Sequence, residues 1–264
     1  MIKPDAFNIG LLIKHGTNNY AHLGFHPVTM EQIVCPKNPD IVVDAMFNVN
    51  SLDGTYLETA GHIVKGGPGL EALDPNKFRE VLVVKLPAKR EGDTISREEL
   101  EATIAVARGE AGIDATVTKI GTELGYGLCF ATGYTDYWLA KSGGVIRDVD
   151  YNGRSPYFAK GALQPVLDHG FTFLMGDIPS ISHPEDTMVL GQFYSDNLAR
   201  GINDVCICFP VRNTDRMQSG NAVVAINPVL ENTVAYLCNP LMVQGKELTK
   251  ALLAAEKATH TLPH

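Results

Sequence analysis

Leu52-Asp53-Gly54-Thr55-Tyr56-Leu57-Glu58-Thr59-Ala60-Gly61-His62 is the stretch on which the reading of this chain turns. It follows an apolar run, Ile41 to Phe47, that reads as a strand, and it leads into Gly66-Gly67-Pro68-Gly69. Polar heads at 53, 55, 56, 58 and 62 between those punctuators predict a loop, and loops held on a rigid sheet are where sites concentrate. A carboxylate (Glu58) and an imidazole (His62) close together can exchange a proton and tune each other's pKa. Taken alone, the same letters equally describe an Asp53-Gly54 turn with Glu58 and His62 as surface residues.

Outward from this stretch the chain alternates short apolar runs with helical patterns. Val81 to Leu86, Leu128 to Thr132, Phe171 to Met175, Val205 to Phe209, Ala222 to Ile226 and Thr233 to Leu237 read as further strands. Most are continuous rather than alternating, which predicts a sheet covered on both faces. Ser96-Arg97-Glu98-Glu99 is a capping-box pattern opening a helix whose apolar face is Leu100, Ile104 and Ala107. Further helices are expected over Ala162 to Asp168, Met188 to Arg200 and Gly245 to Lys257, the first two closed by Gly170 and Gly201. Strands alternating with helices place the fold in the α/β class. No linker or repeat divides the 264 residues, so one domain is expected over 1–264, with an N-terminal segment (1–30) and a C-terminal helix and tail (245–264).

A net charge of −8 argues against a nucleic-acid partner. No apolar run approaches the ~20 residues of a membrane span, so no membrane partner is expected. The start, Met1 to Ala6, lacks the apolar core of a signal peptide, which favours the cytoplasm. Five cysteines without a CxxC pair fit that compartment, and Cys206-Ile207-Cys208 should put two small buried thiols on one strand face.

The stretch resembles the H-x-G-T-H-x-D-x-P-x-H signature of the cyclase superfamily that includes kynurenine formamidase and isatin hydrolase. Gly54 and Thr55 match the Gly-Thr pair, Glu58 stands for the Asp, Ala60 for the Pro, and His62 matches the last His. Ala131 to Trp138 is similar to the family's "RTGW…W" strand end, and Phe173 to Ser182 to its "LVGIDAPSID" stretch. Tyr194 to Gly201 and Ala222 to Pro228 follow the family's helix and later strand, so the resemblance runs from about residue 40 to 243. It implies a swivelling β/β/α domain with a mixed sheet covered by helices, assembled as a homodimer or larger, acting on a small-molecule substrate.

The departures are as informative. Leu52 and Tyr56 stand where the first two metal-binding histidines would be, and the positions of the later His and Glu fall near Tyr194 and Cys206. Leucine has no donor atom, a phenol is a poor ligand near neutrality, and a catalytic divalent site needs about three protein ligands. The expectation is therefore no metal and no cofactor. His22 and His26 have i, i+4 spacing, but Gly24 and Pro27 oppose the helix that would align them; His169, His183, His260 and His264 read as capping or solvated residues. The resemblance gives His62 an acid/base role, with Glu58 as its partner or an independent base. Tyr56, as a further catalytic group, and Tyr194 stand where metal-binding histidines would converge and could donate hydrogen bonds to a substrate oxyanion in the metal's place, while Thr55, Trp138, Asp177 and Tyr194 would line the substrate pocket. Three functions stay open: a metal-independent hydrolase, cyclase or lyase acting on a small cyclic or ring-closing amide, lactone or related carbonyl compound; a non-catalytic binding descendant; and a metallohydrolase with relocated ligands.

Overall fold

A computed structural model of the chain describes residues 5–18, 24–74, 77–147, 149–179, 181, 188–226, 233 and 235–260. Its strands in chain order are β1 (Asp5–Asn8), β2 (Thr29–Cys35), β3 (Asn38–Phe47), β4 (Tyr56–Thr59), β5 (Phe78–Lys85), β6 (Thr94–Ile95), β7 (Gly127–Ala131), β8 (Tyr157–Phe158), β9 (Phe173–Gly176), β10 (Cys206–Phe209), β11 (Gly220–Ala225), β12 (Ala235–Leu237) and β13 (Leu241–Gln244). The helices are α1 (Arg97–Ala111), α2 (Ile120–Leu124), α3 (Tyr134–Lys141), α4 (Val149–Gly153), α5 (Gln164–Asp168), α6 (Met188–Ala199) and α7 (Lys246–His260).

Nine strands form one mixed sheet in the order β1-β13-β11-β5-β7-β9-β10-β4-β12. β5, β7, β9 and β10 run parallel, as strands joined through helices must, and the flanking strands add antiparallel. β1 pairs with β13, so residues near the two ends of the chain share one sheet. One face is covered by α1, α3, α5 and α6, which bring Leu100, Ile104, Trp138, Val166 and Phe193 onto Leu82, Val84, Leu128, Phe130 and Leu174. On the other face Leu57, Val81, Val83, Phe173, Met175, Cys206, Cys208, Val224 and Met242 gather in a second cluster supplied by strands and their loops, so the curled sheet largely covers itself. Both faces are dry, which is why the strands read as unbroken apolar runs.

The helix signals act as expected. Ser96 Oγ accepts from the Glu99 amide at 3.2 Å, and Glu99 Oε2 accepts from the Ser96 amide at 2.9 Å, closing the capping box of α1. Gly170 and Gly201, with φ of 65° and 79°, follow α5 and α6 in the left-handed conformation that glycine allows at a helix end. α5 begins at Gln164 rather than Ala162, because the turn at Gly161 occupies the preceding residues.

Two expectations fail. The Ile41 to Phe47 run is a strand but not a covered one: among the described residues β3 pairs only with β2, forming a separate two-stranded arm. Its apolar content predicts burial within the chain, yet Val42, Val43, Met46 and Phe47 are 45–54% exposed. Residues 56–59 are not loop but β4, whose backbone pairs on one side with β10 and on the other with β12. The alternation in Tyr56-Leu57-Glu58-Thr59 carries that strand: Tyr56 joins the helix-covered cluster and Leu57 the opposite one.

Candidate active site

β4 positions the candidate acid/base group. Alternation sends the Tyr56 and Glu58 side chains to the helix-covered face, where α6 packs. The residues directly opposite Glu58 on the neighbouring strands are Ile207 and Ala235, both apolar. Glu58 is 4% exposed. Burial among such neighbours disfavours its charged form and raises its pKa from the ordinary 4.5 to about 7, although the Tyr194 hydrogen bond pulls the other way.

Tyr194, fully buried on α6, donates to Glu58 through Oη, which lies 3.2 Å from Oε1 and 3.2 Å from the Glu58 main-chain oxygen. Burial pushes this phenol well above its ordinary range, with the Glu58 charge adding to the rise. Tyr194 is therefore a neutral donor at any physiological pH.

β4 ends in a single 3-10 turn, Ala60–His62, which carries His62 back over Glu58 with Nε2 3.7 Å from Oε2. The imidazole is the exposed partner, at 40% side-chain exposure against 5% for the carboxylate. Partial burial lowers its pKa, favouring the neutral ring. A proton entering from solvent thus meets His62 first and Glu58 behind it. At neutral pH this pairs a carboxyl near half-ionisation with a neutral imidazole, the state in which either can give or take a proton.

The other predicted residues occupy buried framework positions. Thr55 Oγ1 accepts from the Leu11 amide at 2.6 Å and donates to the Pro210 carbonyl, tying the N-terminal segment to β4 and the end of β10. Asp177, at the end of β9, receives the Thr132 amide at 2.8 Å, the Thr132 hydroxyl at 2.9 Å and the Tyr134 amide at 3.0 Å. It anchors the start of α3, and complete burial raises its pKa to about 6. Trp138 is buried edge-on to Tyr134 and Tyr151, with Lys141 Nζ 4.0 Å from its ring. Cys206 and Cys208 lie together on the opposite face as small buried side chains, as their alternation implies, and Ile207 lies opposite Glu58. His169 caps α5 and lies 3.0 Å from the Thr118 carbonyl through Nδ1, while His22, His183 and His264 lie outside the described residues.

A cleft of about 400 Å³, absent from the sequence reading, opens at the carboxyl ends of β5 and β7, lined by Lys85, Arg90, Thr132, Asp136, Tyr137 and Thr214. Thr132, Asp136 and Tyr137 come from the Ala131–Trp138 stretch, but Lys85, Arg90 and Thr214 join them only through the fold.

Solved structures share this architecture over almost the whole chain. A crystal structure of an isatin hydrolase bound to the product analogue thioisatinate superposes with a TM-score of 0.65 at 13% identity, covering 92% of this chain and 93% of that one. The chain has the isatin hydrolase fold. Isatin hydrolase A from Ralstonia solanacearum gives 0.64 at 12% identity, covering 92% of each chain. A potential metal-dependent hydrolase with cyclase activity gives 0.62 at 14% identity, covering 92% of this chain and all 100% of that one. No family model and no curated protein matches the sequence. The α/β domain implied by the signature around Gly54-Thr55 is thus the one found.

A metal ion of the kind named for such relatives does not fit the donors this chain places there. Among the described residues at the positions the signature marks, Glu58 and His62 are the ordinary ligands, and the Glu58 carboxylate is already hydrogen-bonded to Tyr194. Among the described residues no three His, Cys, Asp or Glu side chains gather to hold an ion.

Proposed function

We propose that this chain is a metal-independent enzyme of the isatin hydrolase and kynurenine formamidase type, acting on a small cyclic or ring-closing amide, lactone or related carbonyl compound. The observation that carries the reading is the buried Glu58 carboxyl with a pKa near 7, 3.7 Å from His62 and fixed by Tyr194, within this fold. In hydrolysis, Glu58 as carboxylate would take a proton from water as its oxygen adds to the carbonyl carbon. The proton then returns, through Glu58 or His62, to the nitrogen or oxygen that leaves when the C–N or C–O bond breaks. Run in reverse, the same two groups serve ring closure. Tyr194 spends its hydroxyl on Glu58 and so positions the base, while Tyr56, on the same face of β4, packs in the helix-covered core beside it.

The test is turnover of a panel of lactones, cyclic imides, N-formyl amines and their ring-opened counterparts. Glu58→Gln and His62→Ala should each lower kcat by roughly 10²–10⁴-fold on whichever compound reacts. Wild-type rates in both variants would sink the assignment. A second reading, a ligand-binding descendant, draws on the depth of Glu58 and on the saturation of Tyr194. It predicts modest affinity changes in Glu58→Gln and no turnover in any variant.

A further inference from the structure

The cleft at the carboxyl ends of β5 and β7 lies three to four places along the sheet from β4, apart from Glu58 and His62. Two of its charged side chains are consumed in building it. Asp136 accepts the Asn213 amide at 2.8 Å through one oxygen, and the Thr214 amide at 2.7 Å and hydroxyl at 2.6 Å through the other. Lys85 Nζ donates to the Thr214 and Met217 carbonyls at 3.2 and 2.9 Å. Together they pin the loop after β10, with Asn213 in the left-handed region at a φ of 59°, so the cleft is shaped before anything enters it. Leu86, Ala88 and Ala131 give it an apolar lining. Two further charges stay open. Arg90 donates one N–H to the Lys89 carbonyl at 2.8 Å and stacks on Tyr137, its Cζ 4.4 Å from the ring centroid, which leaves most of its five-donor fork unused. Asp215 is exposed at the rim. Among the described residues neither Arg90 nor Asp215 has an ion-pair partner.

We propose that this cleft binds a small amino carboxylate, a ligand with one ammonium and one carboxylate on a compact apolar body. Arg90 takes the carboxylate: its planar fork matches two carboxylate oxygens, and the stack on Tyr137 has already restricted its rotamers. Asp215 takes the ammonium. The ligand's body lies against Leu86, Ala88 and Ala131. The charge pattern selects this class. With Lys85 and Asp136 turned to the loop, one cation and one anion remain open, so a plain anion meets an unpaired Asp215 and a plain cation an unpaired Arg90. A ligand carrying both ends leaves neither. The volume of about 400 Å³ falls within the roughly 300–1,000 Å³ of small-molecule sites. The site does not depend on the chemistry at Glu58 and His62.

Isothermal titration calorimetry of the full chain with alanine, leucine, phenylalanine, 4-aminobutanoate and 6-aminohexanoate tests this. Each is compared with its N-acetyl form, which lacks the ammonium, and its amide, which lacks the carboxylate. The expected result is that at least one of the five binds, and at least about tenfold more tightly than either capped form. Arg90→Met, which keeps an apolar contact with Tyr137, should abolish the preference for the acid over its amide. Asp215→Asn should abolish the preference for the free amine over its N-acetyl form. No binding by any of the five at millimolar concentration overturns the proposal. So does an N-acetyl form that binds as well as its parent, which marks a plain anion site, and so does an affinity indifferent to both substitutions. Should a variant not fold, amide NMR of the wild type decides: shifts on titration at Thr132, Gly133 and Thr214 support the cleft, and shifts confined to other residues refute it.

Discussion

Replacing Glu58 by glutamine should make the protein more stable as the pH rises, and the size of the effect follows from the site. The folded-state pKa of Glu58 is raised, from 4.5 to about 7, because the strand partners Ile207 and Ala235 offer no compensation for a buried charge. A raised carboxyl favours folding fully below the unfolded-state pKa and loses that contribution as pH climbs through the folded-state value. At 1.36 kcal/mol per pKa unit, ionising Glu58 costs the wild type about 2.5 kcal/mol between pH 5 and pH 8. Glutamine keeps the size and an oxygen for the Tyr194 hydroxyl but cannot ionise. Urea unfolding of both proteins across this range should therefore show a stability difference that grows in favour of Glu58→Gln by about that amount. Asp177, also raised by burial, and His62, lowered by it, contribute to both curves and largely cancel in the difference. Parallel curves would mean that Glu58 ionises normally. A difference of opposite sign would mean that it folds as a carboxylate paired with a charged His62. Either result removes the basis for a base poised near neutrality, without any substrate being known.

Tyr194→Phe deletes the hydroxyl that favours the ionised carboxylate, so carbon-detected NMR titration should place the Glu58 pKa higher than in wild type; an unchanged or lower value refutes the contact. Asp177→Asn turns an amide toward donors that now meet an oxygen, and should cost roughly 1–3 kcal/mol in unfolding experiments, whereas an unchanged stability would deny its anchoring of α3. Thr55→Val should cost a similar amount, roughly 1–3 kcal/mol, by orphaning the Leu11 amide and the Pro210 carbonyl, without a selective effect on any proton transfer at Glu58. Elemental analysis after dialysis should find no stoichiometric divalent metal; zinc or manganese near one per chain would contradict the reading of the donor set.

Local signals in this sequence carried a good deal of the fold. The Ser96/Glu99 capping box, the glycines after α5 and α6 and the unbroken apolar strands are each set by a few neighbouring residues, so they can be read without knowing what packs where. The Glu58 and His62 pair was legible for a related reason. Four residues of chain keep them within reach of each other, and the 3-10 turn that ends β4 is what brings them to 3.7 Å. Thr55 and Asp177 could be singled out by type and context, but whether a polar side chain faces a pocket or ties down backbone depends on partners such as Pro210 and Tyr134, far away in sequence.

By itself the sequence determined the α/β class, the helix boundaries near their caps and the chemistry available at 56, 58 and 62, because these rest on composition and short-range stereochemistry. Tertiary structure alone decided that 56–59 is a strand between β10 and β12, since pairing is a property of two segments and not of one. It also decided that Tyr194 meets Glu58 across 136 residues, and that the carboxyl is buried between the strands bearing Ile207 and Ala235, burial being what raises its pKa. The same limit explains the arm. An apolar run shows that a surface wants covering, but only the three-dimensional arrangement shows that Val42 and Val43 remain outside the chain's own core.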